Sequence, residues 1–158
     1  MPTARPTLSV KNCLLAGGLL FAAFCPYIAG AALGEVEPSV QEDAAALRGS
    51  DKVTEHANYR LHEIQLPSGS LLREFVGSDG KVFAVAWNGP TMPNLRQAFG
   101  RYFDTVTAAA KDSRTGHSHL QIQHSDLVVQ SSGHMRAFSG RAYLPQSLPS
   151  GVAVGDLR

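Results

Sequence analysis

The pattern of apolar and polar positions along the chain takes three forms, and each marks a different kind of segment. The first is an apolar block with no period, Cys13 to Phe24, which follows Arg5 and Lys11, the only charged residues before Glu35. Pro26 breaks the helix that such a block would form, and Ala29-Gly30-Ala31 supplies small residues just beyond it. A positive start, a short apolar middle and an A-x-A end are the parts of a cleavable secretory signal. The expected cut follows Ala31 and leaves residues 32–158 as a single domain, with 1–31 as the signal peptide. The uncharged run from Asn12 to Gly34 also reaches the roughly 20 residues of a membrane span, but Pro26, Gly30 and the small-residue end favour cleavage. Phe24 before Cys25 argues against lipoprotein processing, which needs a small side chain there.

The second form has helical period. Ser39-Val40-Gln41-Glu42 reads as a capping box, and Val40, Ala44 and Leu47 then share one face, which predicts a short helix from Val40 to Arg48. A longer helix is expected after Asn94, with Gln97 three residues on. Leu95, Ala98, Phe99, Tyr102, Phe103 and Val106 form its apolar stripe as far as Lys111.

The third form is strand-like. Tyr59–Leu66, Leu71–Val76 and Val82–Trp87 make one meander, turned at Pro67-Ser68-Gly69 and at Ser78-Asp79-Gly80. The last of these strands is apolar on both faces, so it belongs in the middle of a sheet covered on both sides. A second meander is expected from 120–123, 127–130 and 135–144, with turns at Ser125-Asp126 and Ser132-Gly133. Gly140 predicts a bulge in its last strand. The order α-βββ-α-βββ predicts an α+β fold: an antiparallel sheet of two three-stranded meanders with a short N-terminal and a longer central helix packed on it.

Composition narrows the classes of function. Both cysteines, Cys13 and Cys25, lie in the signal, so the domain that remains has no disulfide, thiol nucleophile or thiolate metal site. Without residues 1–31, twelve Lys and Arg face thirteen Asp and Glu, a formal charge of −1. No basic surplus or run of like charge points to nucleic acid or to attraction by an anionic membrane surface.

Several stretches resemble a known family: Pro67-Ser68-Gly69, Arg73-Glu74-Phe75, Gly80 to Trp87 with Gly89-Pro90, and Leu95-Arg96-Gln97. Tyr102-Phe103, Asp126 to Val129 and above all Gly133 to Pro145 extend it, as does Ala32-Leu33-Gly34 after the signal. Together they are similar to the exported proteobacterial proteins of the domain-of-unknown-function 2844 family. The resemblance covers nearly all of residues 32–158, with Asn94 standing where Asp is expected; either residue caps a helix. It implies an exported bacterial protein and no particular activity.

Candidate chemistry is sparse. His117-x-His119, with His124 nearby, places two imidazoles on one strand face, but no acidic or cysteine ligand sits at a tight spacing beside them. No metal site and no cofactor are expected. His134 and Arg136 share a strand face, and a bulge at Gly140 would bring Arg141 to the same side as a fork for a carboxylate or phosphate. The plainer reading is an edge strand whose arginines pair with surface acids. Trp87 and Asn88 end the apolar strand, where Trp87 either anchors a binding surface or belongs to the core. Glu63 and Glu74 lie in neighbouring strands and either face each other or pair with Arg60 and Arg73. There is no G-x-S-x-G elbow, phosphate loop or dinucleotide fingerprint.

These features favour a non-enzymatic exported module, periplasmic or secreted, that binds an unknown envelope protein or small ligand. Its surface is expected at His134, Arg136 and Arg141, with Trp87 and Asn88 nearby. No nucleic acid and no lasting membrane anchor are expected. Two alternatives stand beside it. A hydrolase or lyase built on His134 and Arg136 would need a concave pocket holding both. A secreted enzyme inhibitor would present a protruding loop with an apolar tip.

Overall fold

The computed structural model describes residues 33–112 and 119–158; the expected signal peptide, its cleavage site and His117 lie outside them. The fold is α+β. Helix α1 (Pro38–Ala46) is followed by β1 (Ser50–Glu55), β2 (Tyr59–Gln65), β3 (Leu71–Gly77) and β4 (Val82–Gly89). After a helical stretch come β5 (His119–Gln123), β6 (Val128–His134) and β7 (Ala137–Tyr143). All seven strands pair antiparallel in one sheet, in the order β1-β2-β3-β4-β7-β6-β5. Two meanders therefore meet where β4 pairs with β7.

The first meander has four strands rather than three. Ser50-Asp51-Lys52-Val53-Thr54-Glu55 offers only one large apolar residue, so its period is invisible in the sequence. It becomes a strand by pairing along the whole of β2. Its polarity suits an edge, where Lys52 and other charges discourage further strand addition. Strand β4 occupies the centre, and Val82 through Trp87 are all buried, as its two-sided apolar pattern requires.

The helix boundaries also shift. Ser39 lies inside the first turn of α1, where its hydroxyl donates to the Val36 carbonyl at 2.6 Å instead of capping the helix. The central helix breaks into α2 (Leu95–Phe99), a single 3-10 turn (Gly100–Tyr102) and α3 (Phe103–Asp112). Gly100, at φ 46, marks the break. The apolar stripe survives it: Ala98, Phe99 and Val106 are buried, with Leu95, Tyr102 and Phe103 packed against them.

Two cores result, one on each face of the sheet. Alternation sends Ile64, Leu72, Val85, Trp87, Val129, Ala142 and Ile122 to the face covered by the helices, against Val40, Ala44 and Phe99. The opposite face carries Phe75, Phe83, Ala84 and Ala86, capped by the C-terminal segment through Leu148, Val152 and the fully buried Leu157.

Gly140 carries no bulge. The β7 ladder runs in register from Ala137 to Tyr143 against β6, and its pairing with β4 is equally regular. A Cβ at Gly140 would lie 2.2 Å from Trp87 Cζ2 and 2.8 Å from the Gln130 carbonyl oxygen, so the glycine makes room for the indole of the paired strand. The only register shift in the β3–β4 ladder falls at Phe75/Val76, where Val76 pairs with Val82 and Phe83 is passed over. Phe83 and Ala84 can then both join the core under the C-terminal segment. The β6–β7 turn is also displaced. It falls at Met135-Arg136, because Ser132 and Gly133 continue the ladder, and the Phe138 ring covers the space a Cβ at Gly133 would take.

Candidate functional site

The C-terminal segment covers only part of its face. Beyond Leu157 the sheet opens into a groove of about 730 Å³, a size typical of small-molecule sites. Strand pairing arranges its side chains in two rows across the strands. One row runs from Arg73 on β3, past Ala86 on β4, to Arg141 on β7, Gln130 on β6 and Gln121 on β5. The next runs through Asn88, Ser139, Ser132 and His119. All eight polar residues of these rows line the groove, and Leu157 and Arg158 form part of its wall. Trp87, Leu120, Ser131 and Gly140 also border it, but alternation turns their side chains to the other face, so they offer it backbone.

The two arginines on the floor are held in place. Arg141 Nε donates to Gln130 Oε1 at 2.8 Å and Nη1 donates to the Val154 carbonyl at 2.6 Å, which ties the groove to the C-terminal segment. Arg73 Nε pairs with Glu63 at 3.0 Å, and its Nη1 donates to Asn88 Oδ1 at 2.8 Å. Among the described residues no Asp or Glu lines the groove, and Glu63 reaches it only through Arg73. The result is an open array of guanidinium, amide, hydroxyl and imidazole groups, rich in donors, in which Glu63 offsets the charge of Arg73 and Arg141 has no carboxylate partner among the described residues.

The residues singled out from the sequence separate into three places. Asn88 and Arg141 stand in the groove. The Trp87 indole lies in the core beneath the helices, edge-on to Phe99 at 5.7 Å, and its N–H has no acceptor among the described residues. His134 ends β6, and Arg136, at φ 63, sits in the hairpin turn with Met135. All three are exposed, Met135 by 94%. Arg136 and Arg141 therefore do not form a fork, because one is in a turn and the other is mid-strand. The His134 ring lies 6.0 Å from that of His119, which links the hairpin to the end of the groove. Among the described residues no three His, Cys, Asp or Glu side chains gather as metal ligands.

Sequence reasoning passed over Arg73, Gln121, Gln130, Ser132 and Ser139 as site residues. Their signal is period two: His119-x-Gln121, Gln130-x-Ser132 and Ser139-x-Arg141 each put two polar groups on one face.

A second polar cluster lies on the opposite face, beneath α1, with its inner members buried. His62 is 1% exposed; its Nδ1 lies 2.9 Å from Asp51 Oδ2 and its Nε2 3.2 Å from Glu37 Oε1. Arg60 also pairs with Glu37. Glu74 is paired in register with His62 and completely buried, and neither of its carboxyl oxygens has a hydrogen-bond partner among the described residues. Burial, then the charges of Asp43 and Asp51, hold its carboxyl well above the ordinary carboxylate range. Asp43 Oδ1 accepts from Gln97 Nε2 at 2.7 Å, which joins α1 to α2. Glu63 and Glu74 do not meet, since adjacent register puts them on opposite faces.

Among the described residues no helix is long and apolar enough to cross a membrane. A family model described as "Protein of unknown function (DUF2844)" matches residues 29–157. Neither the curated proteins nor the solved structures contain a match.

Proposed function

The chain belongs to the DUF2844 family of unknown function, and from that premise we propose that it is an exported, non-enzymatic binding module that works in the periplasm or outside the cell. Its binding surface is the groove on the open sheet face. The observation that carries this reading is the row from Arg73 through Arg141 to Gln121. Folding leaves a donor-rich strip uncovered there, although the C-terminal segment seals the rest of the same face. The basic start, apolar block and A-x-A end of residues 1–31 support export. Catalysis by His134 and Arg136 is disfavoured, since these residues form a convex, exposed hairpin end outside the groove.

The test is retention of envelope components by the immobilised protein, with Arg141→Gln and Arg136→Ala beside it. A component held by the parent and by Arg136→Ala but lost with Arg141→Gln supports the groove. Equal retention by all three overturns it. One observation favours a second reading, an inhibitor of a foreign enzyme: Met135 is 94% exposed at the tip of the β6–β7 hairpin. Loss of a retained protein with Met135→Glu and Arg136→Ala, but not with Arg141→Gln, would establish that reading instead.

A further inference from the structure

The chemistry of the groove narrows its occupant, on the premise that the groove is the binding surface. The rows cross β3, β4, β7, β6 and β5, four steps between neighbouring strands, or roughly 19 Å. That length suits a short linear oligomer better than a single metabolite. Its direction excludes strand addition. An added peptide strand lies along an edge and pairs with free backbone groups, whereas the inner strands β4, β7 and β6 already pair on both sides. An occupant must therefore be satisfied by side chains, and these are donors: Arg73, Arg141, the Asn88, Gln121 and Gln130 amides, and the Ser132 and Ser139 hydroxyls. Such a set matches a ligand covered in hydroxyl, ether and carboxylate oxygens.

Among the described residues no aromatic ring other than imidazole is presented to the groove, because the Trp87 side chain lies on the far side of the sheet. Stacking therefore supplies little, which removes the usual platform for nucleobases and leaves charge as the anchor. Guanidinium groups meet carboxylates with paired, charge-assisted hydrogen bonds; Arg141 has no carboxylate partner among the described residues, while Arg73 is shared with Glu63. We propose that the groove binds an acidic oligosaccharide, a short uronic-acid chain laid across the strands, with its carboxylates on Arg141 and Arg73 and its hydroxyls on the serines and amides.

Calorimetric titration of the protein with tetragalacturonate, its methyl-esterified counterpart and tetrauridylate tests this. The acid chain should bind about tenfold more tightly than the other two. Arg141→Gln should weaken it by a similar factor. Gln121→Glu, an isosteric change at an exposed edge position that leaves the fold undisturbed, should weaken the acid chain and spare the ester. Equal binding of the ester or of tetrauridylate, or no binding of the acid chain, overturns the ligand class. If an envelope component is nevertheless lost with Arg141→Gln, the groove stands without this ligand. Acid-chain binding that is unchanged in both variants overturns the groove and the ligand together.

Discussion

The two faces of the sheet each carry a polar cluster, and the clusters are opposites. Beneath α1, Asp43, His62 and Glu74 form a buried group, with Glu37 and Asp51 partly exposed at its margin, and its members mostly answer one another. On the other face, Arg73, Arg141 and their amide and hydroxyl neighbours form a cationic group open to solvent. Buried ionisable residues with displaced titration often mark active sites, and by that signal alone Glu74 would be the first choice. Yet it is completely buried. Access points instead to the open face, where the polar side chains line a groove. The buried cluster joins α1 to β1, β2 and α2.

Gly140 is where the faces touch, and changing it should have the largest effect. Gly140→Ala drives a Cβ into the Trp87 indole and against the Gln130 carbonyl. A loss of about 2–3 kcal/mol is expected in urea unfolding, together with damage to the groove floor. A cost below ~0.5 kcal/mol would show that the two faces are not coupled there.

The buried cluster should reveal itself through pH. The Glu74 carboxyl titrates higher in the folded chain than in the unfolded one, so the folded state keeps its proton to higher pH. The associated stability is complete below the unfolded carboxylate value of about 4.3 and is lost as pH rises from there towards the raised value. The steepest possible slope is about 1.4 kcal/mol per pH unit. Glu74→Gln should flatten this loss, so that melting of the variant gains on the parent as pH increases from 4 to 8 (roughly). A variant-minus-parent difference that stays constant over that range would mean that Glu74 is ionised in the folded protein.

Arg141→Gln should cost about 1 kcal/mol, from the bond to the Val154 carbonyl, and should speed proteolysis of the C-terminal segment. Intact protection of that segment would separate the groove from the segment that walls it. The smallest effect belongs to the hairpin tip. Met135→Ser touches nothing packed and should leave the urea midpoint within the equivalent of about 0.5 kcal/mol.

What was legible in the sequence follows the strength of period. Strand β4, with six consecutive apolar residues from Val82 to Trp87, announces both its existence and its central place. Strand β1 does neither, because an edge strand of Ser, Asp, Lys, Thr and Glu is stabilised by its partner and not by its own pattern. Gly140 is conspicuous in the sequence, but its reason is Trp87 on a strand more than fifty residues earlier. The site was legible in part for the same reason. Arg141 and Asn88 stand out as single residues, whereas the groove is a row of pairings across five strands, which only the strand order reveals. Arg136 shows the converse: an arginine that local alternation assigns to a strand face is carried into a turn by two small residues that extend the ladder before it.

The most direct test of the open-face site is an amide NMR map of the labelled protein titrated with the component it retains from envelope extract. The groove predicts that the largest shifts fall at Asn88, Gln121, Ser132, Ser139 and Arg141, with His62 and Glu74 unmoved. Shifts confined to Met135 and Arg136, or centred on β1, would contradict it.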